Sequence, residues 1–157
     1  NNNAYCQDNL VSWLDWNRLE EYQEIHDFFR YMIAFRKEHA VLRKSTGPAS
    51  CGLPEISIHN GYPFNNRTDY NSRLIGVMFA GRDEADTRDD VIFYGMNAYW
   101  EPINMQLPEL PCGKKWKVCV NTAVPYADGQ SPEQFMNNTQ NNNLRIEPRT
   151  VVILTAE

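Results

Sequence analysis

The sequence predicts a mainly β protein, an antiparallel Greek-key β-sandwich preceded by one long α-helix. Apolar residues recur every three or four positions between residues 17 and 39, which is the period of a helix. Beyond residue 54 the chain changes to short alternating or β-branched runs separated by Gly, Pro, Asn and Asp, as in strands joined by turns. No second helical pattern lies between these runs, so a sandwich is favoured over a parallel sheet.

The helix is predicted to begin at Asn17, which can act as N-cap, with Glu20 three residues later as in a capping box. Its apolar residues cover most of the circumference: Leu19, Tyr22, Ile25, Phe28, Phe29, Tyr31, Met32, Ile33 and Phe35. A helix this apolar must be packed on two sides. We therefore expect it to fold back on the sandwich or to pack against a partner copy of the chain.

Seven strands are predicted after the helix. They cover residues 55–59, 74–79, 90–97, 103–107, 116–121, 144–146 and 150–154. The continuous apolar run Val151–Leu154 is typical of a central strand. A linker rich in Gly, Pro and Ser is expected at 45–54, and a long, mobile polar loop is expected at 125–143.

Composition excludes several classes of function. The net charge is −5, from 15 basic and 20 acidic side chains, and phosphate binding needs an excess of Lys and Arg, so no nucleic-acid partner is expected. No apolar run approaches the roughly 20 residues of a membrane span, so no membrane partner is expected either. The spacing of the four cysteines fits no zinc template and favours buried or half-buried thiols in a reducing cytoplasm. Neither a metal nor a cofactor is predicted.

No motif of a complete active site occurs. The sequence lacks a Gly-rich phosphate loop, a His-Glu-x-x-His motif and a Gly-x-Ser-x-Gly motif. Its acidic residues lie mainly on the predicted helix exterior or in the 83–90 turn, without the features of a catalytic carboxylate pair. We therefore predict no catalytic residue in this chain.

Two stretches carry side chains that could contact a sugar. Residues 1–16 combine amides, carboxylates and aromatic rings, which suit sugar hydroxyls but suit equally the irregular backbone of their own loop. In residues 96–102, Tyr99 and Trp100 follow a predicted strand. Such rings stack on glucose when exposed, or lock a corner of the sandwich when packed.

Together these stretches resemble a known family. Asn1-Asn2-Asn3-Ala4-Tyr5-Cys6-Gln7-Asp8-Asn9, followed by Ser12-Trp13-Leu14-Asp15-Trp16, is similar to a segment near the end of the catalytic barrel in bacterial glycogen debranching enzymes and isoamylases. These enzymes form part of glycoside hydrolase family 13, in the amylase superfamily. Their pattern runs Gly-x-Asn-Asn-x-Tyr-Cys-x-Asp-Asn, then Trp. This sequence departs from the pattern at Leu10, where the family usually carries Glu.

The rest of the chain extends the resemblance. Residues 35–43 resemble the end of the last barrel helix, and residues 91–108 and 148–152 resemble the family's C-terminal domain. The resemblance implies that residues 1–46 end the catalytic (β/α)8 barrel and that residues 47–157 form an amylase-type C-terminal β-sandwich.

The resemblance also implies a function. The parent enzyme would hydrolyse α-1,6 branch points in glycogen or related α-glucans, with its catalytic acids on earlier barrel strands outside this chain. This chain would then be a non-catalytic region, inactive alone, that stabilises the barrel. Its expected partners are the missing barrel of the same polypeptide and, through the parent, an α-glucan. A dimer through the exposed helix is the other expected assembly.

The matching motif residues give the expected substrate-binding positions. Asp8 and Asn9, with Asn3 and Tyr5, would border the substrate cleft of the parent enzyme. The alternative function is a carbohydrate-binding module. In that case the stacking platform would be drawn from the aromatic residues of the sandwich, Tyr99, Trp100 or Trp116.

Overall fold

The computed structural model describes residues 5–67, 70–124, 139–140 and 142–157. Over these ranges the chain is mainly antiparallel β with one α-helix, so the predicted fold class is confirmed. The helix, α1, spans Gln23–Glu38. Short 3-10 turns occur at Trp16–Leu19, Ala40–Leu42 and Pro111–Gly113.

Eight strands lie in the described part of the chain. They are β1 (Ile56–His59), β2 (Leu74–Arg82), β3 (Asp89–Asn97), β4 (Ile103–Gln106), β5 (Trp116–Asn121), β6 (Thr139–Gln140), β7 (Asn143–Ile146) and β8 (Thr150–Ala156). All seven predicted strands are present. The prediction of one loop over 125–143 is wrong at its end, because Thr139 and Gln140 pair with β7. Residues 125–138 and 141 lie outside the described residues.

The strands form two sheets with antiparallel pairing throughout. The larger sheet has the order β1-β2-β3-β8-β5, and the smaller has the order β4-β7-β6. Strand β8, which contains the apolar run Val151–Leu154, pairs with β3 on one side and β5 on the other. The prediction of a central strand is therefore confirmed. The Greek-key connectivity stays a prediction.

The first apolar core lies between the two sheets. Alternate residues of the larger sheet face alternate residues of the smaller one, as a sandwich requires. The large buried side chains in this core are Met78, Phe93, Val118, Val152, Leu154, Met105, Leu144 and Ile146. Gly76 and Gly95 are paired across β2 and β3 at this interface.

These two glycines leave room for the neighbouring side chains. A Cβ at Gly76 would lie 2.6 Å from Phe93 Cζ, and one at Gly95 would lie 2.8 Å from Ile146 Cδ1. Both distances are shorter than carbon atoms tolerate. The absence of side chains at this pair therefore lets the smaller sheet approach the larger one.

A second apolar core lies on the opposite face of the larger sheet. Phe35 of α1 packs with Ile92 of β3, Val120 of β5 and Ile153 of β8, and all four are buried. Phe28, Tyr31 and Met32 add to this contact. The prediction that the helix folds back on the sandwich is confirmed.

The predicted start of the helix is wrong. Asp15 caps the 3-10 turn instead, because its carboxylate accepts a hydrogen bond from the Asn17 backbone N–H at 3.1 Å. The α-helix proper begins at Gln23, and its N-cap residue, Tyr22, makes no side-chain capping hydrogen bond. A carboxylate two residues before Asn17 therefore replaces the capping box that the sequence suggested.

A buried carboxylate fixes the linker between helix and sandwich. Asp89 of β3 accepts hydrogen bonds from the backbone N–H groups of Ser50 and Cys51, at 2.8 and 2.9 Å. It also accepts one from Arg82 Nη1 at 2.9 Å. Burial alone would raise the pKa of Asp89, but the hydrogen bonds from Ser50, Arg82 and Cys51 outweigh it and hold that pKa well below its usual range. The 45–54 linker is thus tied to the sheet.

A second buried polar group lies at the end of β1. His59 is fully buried, with its ring 5.1 Å from the rings of both Phe64 and Phe93. Its Nδ1 accepts a hydrogen bond from the Phe64 backbone N–H at 2.9 Å, so Nε2 carries the proton and donates to Ser57 Oγ at 2.9 Å. Burial lowers the pKa of His59 from 6.5 to about 4.

This shift predicts a loss of stability in mild acid. The unfolded chain binds a proton at His59 with the ordinary pKa of 6.5, and the folded chain does so only near pH 4. Proton uptake therefore favours unfolding between these values, and the free energy of unfolding should fall by about 3 kcal/mol from pH 7 to pH 4. Urea denaturation at several pH values measures this change. In a His59→Gln variant this part of the pH dependence should disappear, and an identical pH dependence in both proteins would contradict the assignment.

Candidate functional site

The loop expected to border a substrate cleft is described from Tyr5 onward, and Asn3 lies outside the described residues. Tyr5 and Cys6 have positive φ angles of 40° and 60°, a backbone conformation that non-glycine residues adopt rarely. The Tyr5 side chain is 79% exposed. The loop therefore presents Tyr5 to solvent on an irregular backbone.

Asp8 and Asn9 are exposed and make local hydrogen bonds. Asp8 Oδ1 accepts a hydrogen bond from the indole Nε1–H of Trp13 at 2.5 Å. Asn9 Oδ1 accepts one from the backbone N–H of Val11 at 2.9 Å, and Asn9 Nδ2 donates to Gln7 Oε1 at 3.0 Å. Of these hydrogen bonds, only the one from Val11 satisfies a backbone group of the loop, whereas the bonds with Trp13 and Gln7 join side chains. The substrate-binding role stays a prediction.

An open groove of about 730 Å³ lies between this loop and α1. Its lining is mainly apolar and consists of Leu10, Trp13, Leu14, Asp15, Trp16, Arg18, Leu19, Tyr22, Ile25, His26 and Phe29. Asp8, Asn9 and Tyr5 do not line it. The structure therefore places the predicted polar residues beside an apolar groove, outside its walls.

The groove belongs to a wider exposed surface, here called the N-terminal apolar surface. It comprises the large exposed side chains Leu10, Trp13, Leu14, Trp16, Ile25, Phe29 and Ile33. Each of these side chains is more than half exposed, and Leu10 reaches 83%. Contiguous apolar patches of this kind mark sites where another macromolecular surface binds. The sequence indicated this surface, because the apolar residues of the predicted helix cover more of its circumference than one packed side requires.

The electrostatics of the described residues do not resemble those of a glycosidase acid. A catalytic general acid needs a raised pKa. Here, wherever a carboxyl pKa departs clearly from its usual range, it is lowered. The Gln23 side chain lowers that of Asp27, the Thr87 backbone N–H lowers that of Asp83, and Lys44 lowers that of Glu84.

The prediction of buried or half-buried cysteines is wrong for Cys6 and Cys112, which are exposed. In the part of the chain that the structure describes, no group of three or more His, Cys, Asp and Glu side chains is placed to hold a metal ion. Over those same ranges, neither α1 nor any shorter helix combines the length and hydropathy of a bilayer crossing.

The aromatic stretch at the end of β3 forms a corner of the sandwich. The buried Asn97 side chain donates hydrogen bonds to the carbonyls of Glu101 and Glu147, at 2.8 and 3.0 Å. Its Oδ1 accepts one from the Tyr99 backbone N–H at 2.9 Å. Asn97 thus ties the β3–β4 turn to the turn that precedes β8. Sequence reasoning did not single out Asn97, although an Asn at a strand end is a signal for such a turn.

The two adjacent aromatic rings at this corner contact each other. The ring centroids of Tyr99 and Trp100 are 4.1 Å apart, and the Arg73 guanidinium carbon lies 4.9 Å from the Tyr99 centroid. Trp100 remains 61% exposed. Arg73, which the sequence analysis missed, therefore covers part of the surface that a sugar ring would need.

Trp116 was wrongly included among the stacking residues. It is 6% exposed, its Nε1 donates a hydrogen bond to the Pro108 carbonyl at 2.8 Å, and its ring lies 5.7 Å from that of Phe93. It is a core residue, since it alternates with Val118 along β5 and both side chains belong to the core between the two sheets. Of the three aromatic residues proposed for a platform, only Trp100 presents most of its surface to solvent.

The chain is similar to known isoamylases. No protein-family model matches it. It is 30% identical over 125 residues to the chloroplastic isoamylase 1 of Oryza sativa subsp. japonica, a match that covers 80% of this chain and 14% of that protein. It is 27% identical over 135 residues to the isoamylase of Pseudomonas amyloderamosa, which covers 83% of this chain and 17% of that protein.

A shorter match adds a second group of relatives. The chain is 46% identical over 44 residues to a glycogen operon protein GlgX homolog of Haemophilus influenzae, covering 28% of this chain and 6% of that protein. The homologues of this chain are thus isoamylases and GlgX-type proteins, which confirms the resemblance found in the motifs and supports a C-terminal fragment of an isoamylase-type enzyme. The chain spans less than a fifth of the length of the isoamylases it matches.

Proposed function

We propose that this chain is the non-catalytic C-terminal region of an α-1,6-glucosidase acting on glycogen or related α-glucans. In that enzyme residues 1–46 end the catalytic barrel, and residues 47–157 form the accessory sandwich that stabilises it. The substrate class is proposed from the names of the relatives, which are isoamylases and glycogen operon proteins. The structural observation that supports the stabilising role is that α1 carries apolar side chains on two sides.

The two apolar sides of α1 have different environments. On one side Phe35 is 5% exposed against the larger sheet. On the other side Ile25, Phe29 and Ile33 are 53%, 61% and 55% exposed. Covering apolar area is worth on the order of 25 cal/mol for each Å². A second body that covers this side would therefore stabilise α1. Because α1 packs on the larger sheet, the sandwich would be stabilised as well.

The segment before α1 enlarges the same contact. Trp13, Leu14 and Trp16 are 55%, 68% and 71% exposed and line the groove next to the helix. Aromatic residues are enriched at the centres of protein interfaces, where they contribute much of the binding free energy. The N-terminal apolar surface as a whole is therefore proposed as the contact with the catalytic barrel of the same polypeptide.

A charge placed on this surface tests the proposal. In the full-length polypeptide, Phe29→Glu should lower the melting temperature by roughly 5 °C or more, because it places an unpaired carboxylate in an apolar contact. Ala34→Glu is the matched control, since Ala34 is exposed on another side of α1. In the isolated 157-residue chain the two variants should melt alike. Scanning calorimetry measures all four cases, and equal melting temperatures for both full-length variants would contradict the barrel contact.

The polar loop is proposed to border the substrate cleft of the parent enzyme. Asp8 and Asn9 are exposed at the margin of the N-terminal apolar surface, and their hydrogen bonds to Trp13 and Val11 hold both side chains in place. Tyr5 is exposed in the same loop, and Asn3 is included because it belongs to the matching motif. Side chains held in place lose little conformational entropy when they bind a sugar.

Kinetics of the full-length enzyme distinguish two roles for Asp8, one in which it contacts the substrate and one in which it only stabilises the loop. If Asp8 contacts the glucan, Asp8→Ala should raise KM for branched glucan about tenfold, as the loss of one charged hydrogen bond predicts. Trp13→Phe removes the indole donor to Asp8 but keeps an aromatic ring, and it should change KM by less than about twofold. A combined Asp8→Ala and Asn9→Ala enzyme with unchanged kinetics would remove the support for this role.

A further inference from the structure

The turn after β3 presents one tryptophan ring to solvent. Trp100 is 61% exposed, and its ring contacts that of Tyr99 with centroids 4.1 Å apart and planes inclined by 33°. At this distance and angle, Tyr99 covers one face of the indole. The exposed area of Trp100 therefore belongs mainly to the opposite face of the ring, here called the open indole face.

Arg73 lies on the same side of the indole as Tyr99. Its guanidinium carbon is 4.9 Å from the Tyr99 centroid and 5.6 Å from the Trp100 centroid. A group above the open indole face would be farther from Tyr99 than from Trp100, and Arg73 shows the reverse order. Arg73 therefore covers part of Tyr99 and does not cover the open indole face.

The backbone of this turn is held on both sides of Trp100. The carbonyl of Tyr99, the residue before it, accepts a hydrogen bond from the Arg149 backbone N–H at 3.0 Å. The carbonyl of Glu101, the residue after it, accepts one from the buried Asn97 side chain at 2.8 Å. A ring on a backbone fixed in this way loses little conformational entropy when a ligand binds to it. The open indole face is therefore preorganised.

Polar groups are available next to this ring. Within the ranges that the structure describes, the Arg73 guanidinium contacts the two aromatic rings and donates no hydrogen bond to another residue. A guanidinium carries five N–H donors. Glu101 directly follows Trp100 and is also exposed, so its carboxylate can accept hydrogen bonds. An apolar ring and groups that bond to hydroxyls thus occur together in this turn.

The surroundings of Trp100 favour a small ligand over a protein surface. The other exposed residues of the turn, Ala98, Glu101 and Pro102, include no large apolar side chain. A specific protein interface buries about 800 Å² on each partner around an apolar centre. One aromatic side chain contributes at most about 250 Å². A single ring among small and polar neighbours is therefore suited to one unit of an uncharged, hydroxyl-rich ligand.

We infer that the open indole face is a sugar-binding site, on which one glucose unit of an α-glucan stacks while its hydroxyl groups bond to Arg73. The inference rests on the proposed function for the identity of the sugar. A pyranose ring carries C–H groups on its face and hydroxyl groups at its edge, so it complements an apolar ring with donors beside it. Of the platform considered for a carbohydrate-binding module, this site uses Trp100 alone for stacking, with Tyr99 as its support.

Binding of α-glucan by the 157-residue chain tests the site. Glycogen in a native gel should retard the chain, and maltoheptaose should bind with a Kd on the order of 1 mM, as expected for one stacked sugar unit. Trp100→Ala should weaken this binding about tenfold or more, whereas Trp100→Phe keeps a flat ring and should change it by less than about threefold. Calorimetric titration with maltoheptaose measures the affinity of each variant.

Two further variants serve as controls. Trp16→Ala makes the same substitution on the N-terminal apolar surface, where Trp16 is 71% exposed, and it should bind glycogen like the unchanged chain. Both alanine variants should melt within about 2 °C of the unchanged chain, because both rings are mostly exposed. Arg73→Ala leaves the two rings of the turn in place and should weaken binding by roughly threefold or more, as the loss of a hydrogen-bond donor predicts.

The outcomes separate this site from other roles of Trp100. The site is overturned if the chain binds neither glycogen nor maltoheptaose, or if Trp100→Ala binds them as well as the unchanged chain does. If the chain binds no sugar and Trp100→Ala lowers the melting temperature of the full-length polypeptide by roughly 5 °C, the ring is a packing contact of the parent enzyme. The barrel contact is tested separately by Phe29→Glu. Sugar binding that depends on Trp100, together with a Phe29→Glu variant of unchanged stability, would keep this site and remove the barrel contact.

Discussion

The larger sheet is apolar on both faces, and this constraint determines most of the remaining structure. Ile92 and Phe93 are consecutive residues of β3 that point to opposite faces, and both are buried. Ile153 and Leu154 do the same on β8. A sheet of this kind needs a cover on each side. The smaller sheet supplies one cover, and α1 supplies the other.

Because α1 is one of these covers, the part of the chain before residue 47 packs directly on the part after it. The resemblance places a domain boundary there, but the packing continues across it. His39, at the end of α1, has its Nδ1 2.8 Å from Asp90 Oδ1 on β3, and the linker is tied to Asp89 through Ser50. The end of α1 and the linker that follows it are therefore both bonded to β3.

The same two covers determine which apolar residues remain exposed. Once the two faces are covered by elements of this chain, the apolar residues left over include those on the outer side of α1 and on the segment before it. The chain spans less than a fifth of its isoamylase relatives, and a larger body is the proposed cover for these residues. In the proposed arrangement the sandwich stabilises the barrel through packing.

The sequence predicted what depends on local periodicity. Alternation of Ile75, Val77 and Phe79 identified β2, and the run from Val151 to Leu154 identified a central strand. Recurrent apolar residues identified α1 and its two-sided character.

Features that depend on contacts between distant residues were missed or misjudged. The start of α1 was misplaced because Asp15 competes for the Asn17 N–H group. Trp116 was taken for a surface ring because periodicity alone does not show which face of a strand is buried. In the candidate site, the residue types of the loop were identified, but the Asp8–Trp13 hydrogen bond spans five residues of irregular backbone that no periodic rule describes.

The unfolding of a chain without residues 1–46 measures how much of the stability of the sheet depends on α1. Without α1, the side chains of Ile92, Val120 and Ile153 would be exposed to water. We expect residues 47–157 alone to melt roughly 10 °C or more below the whole chain and to bind a hydrophobic dye, because one core of the sheet is lost. A monomeric 47–157 fragment with the same melting temperature as the whole chain and no dye binding would contradict this expectation.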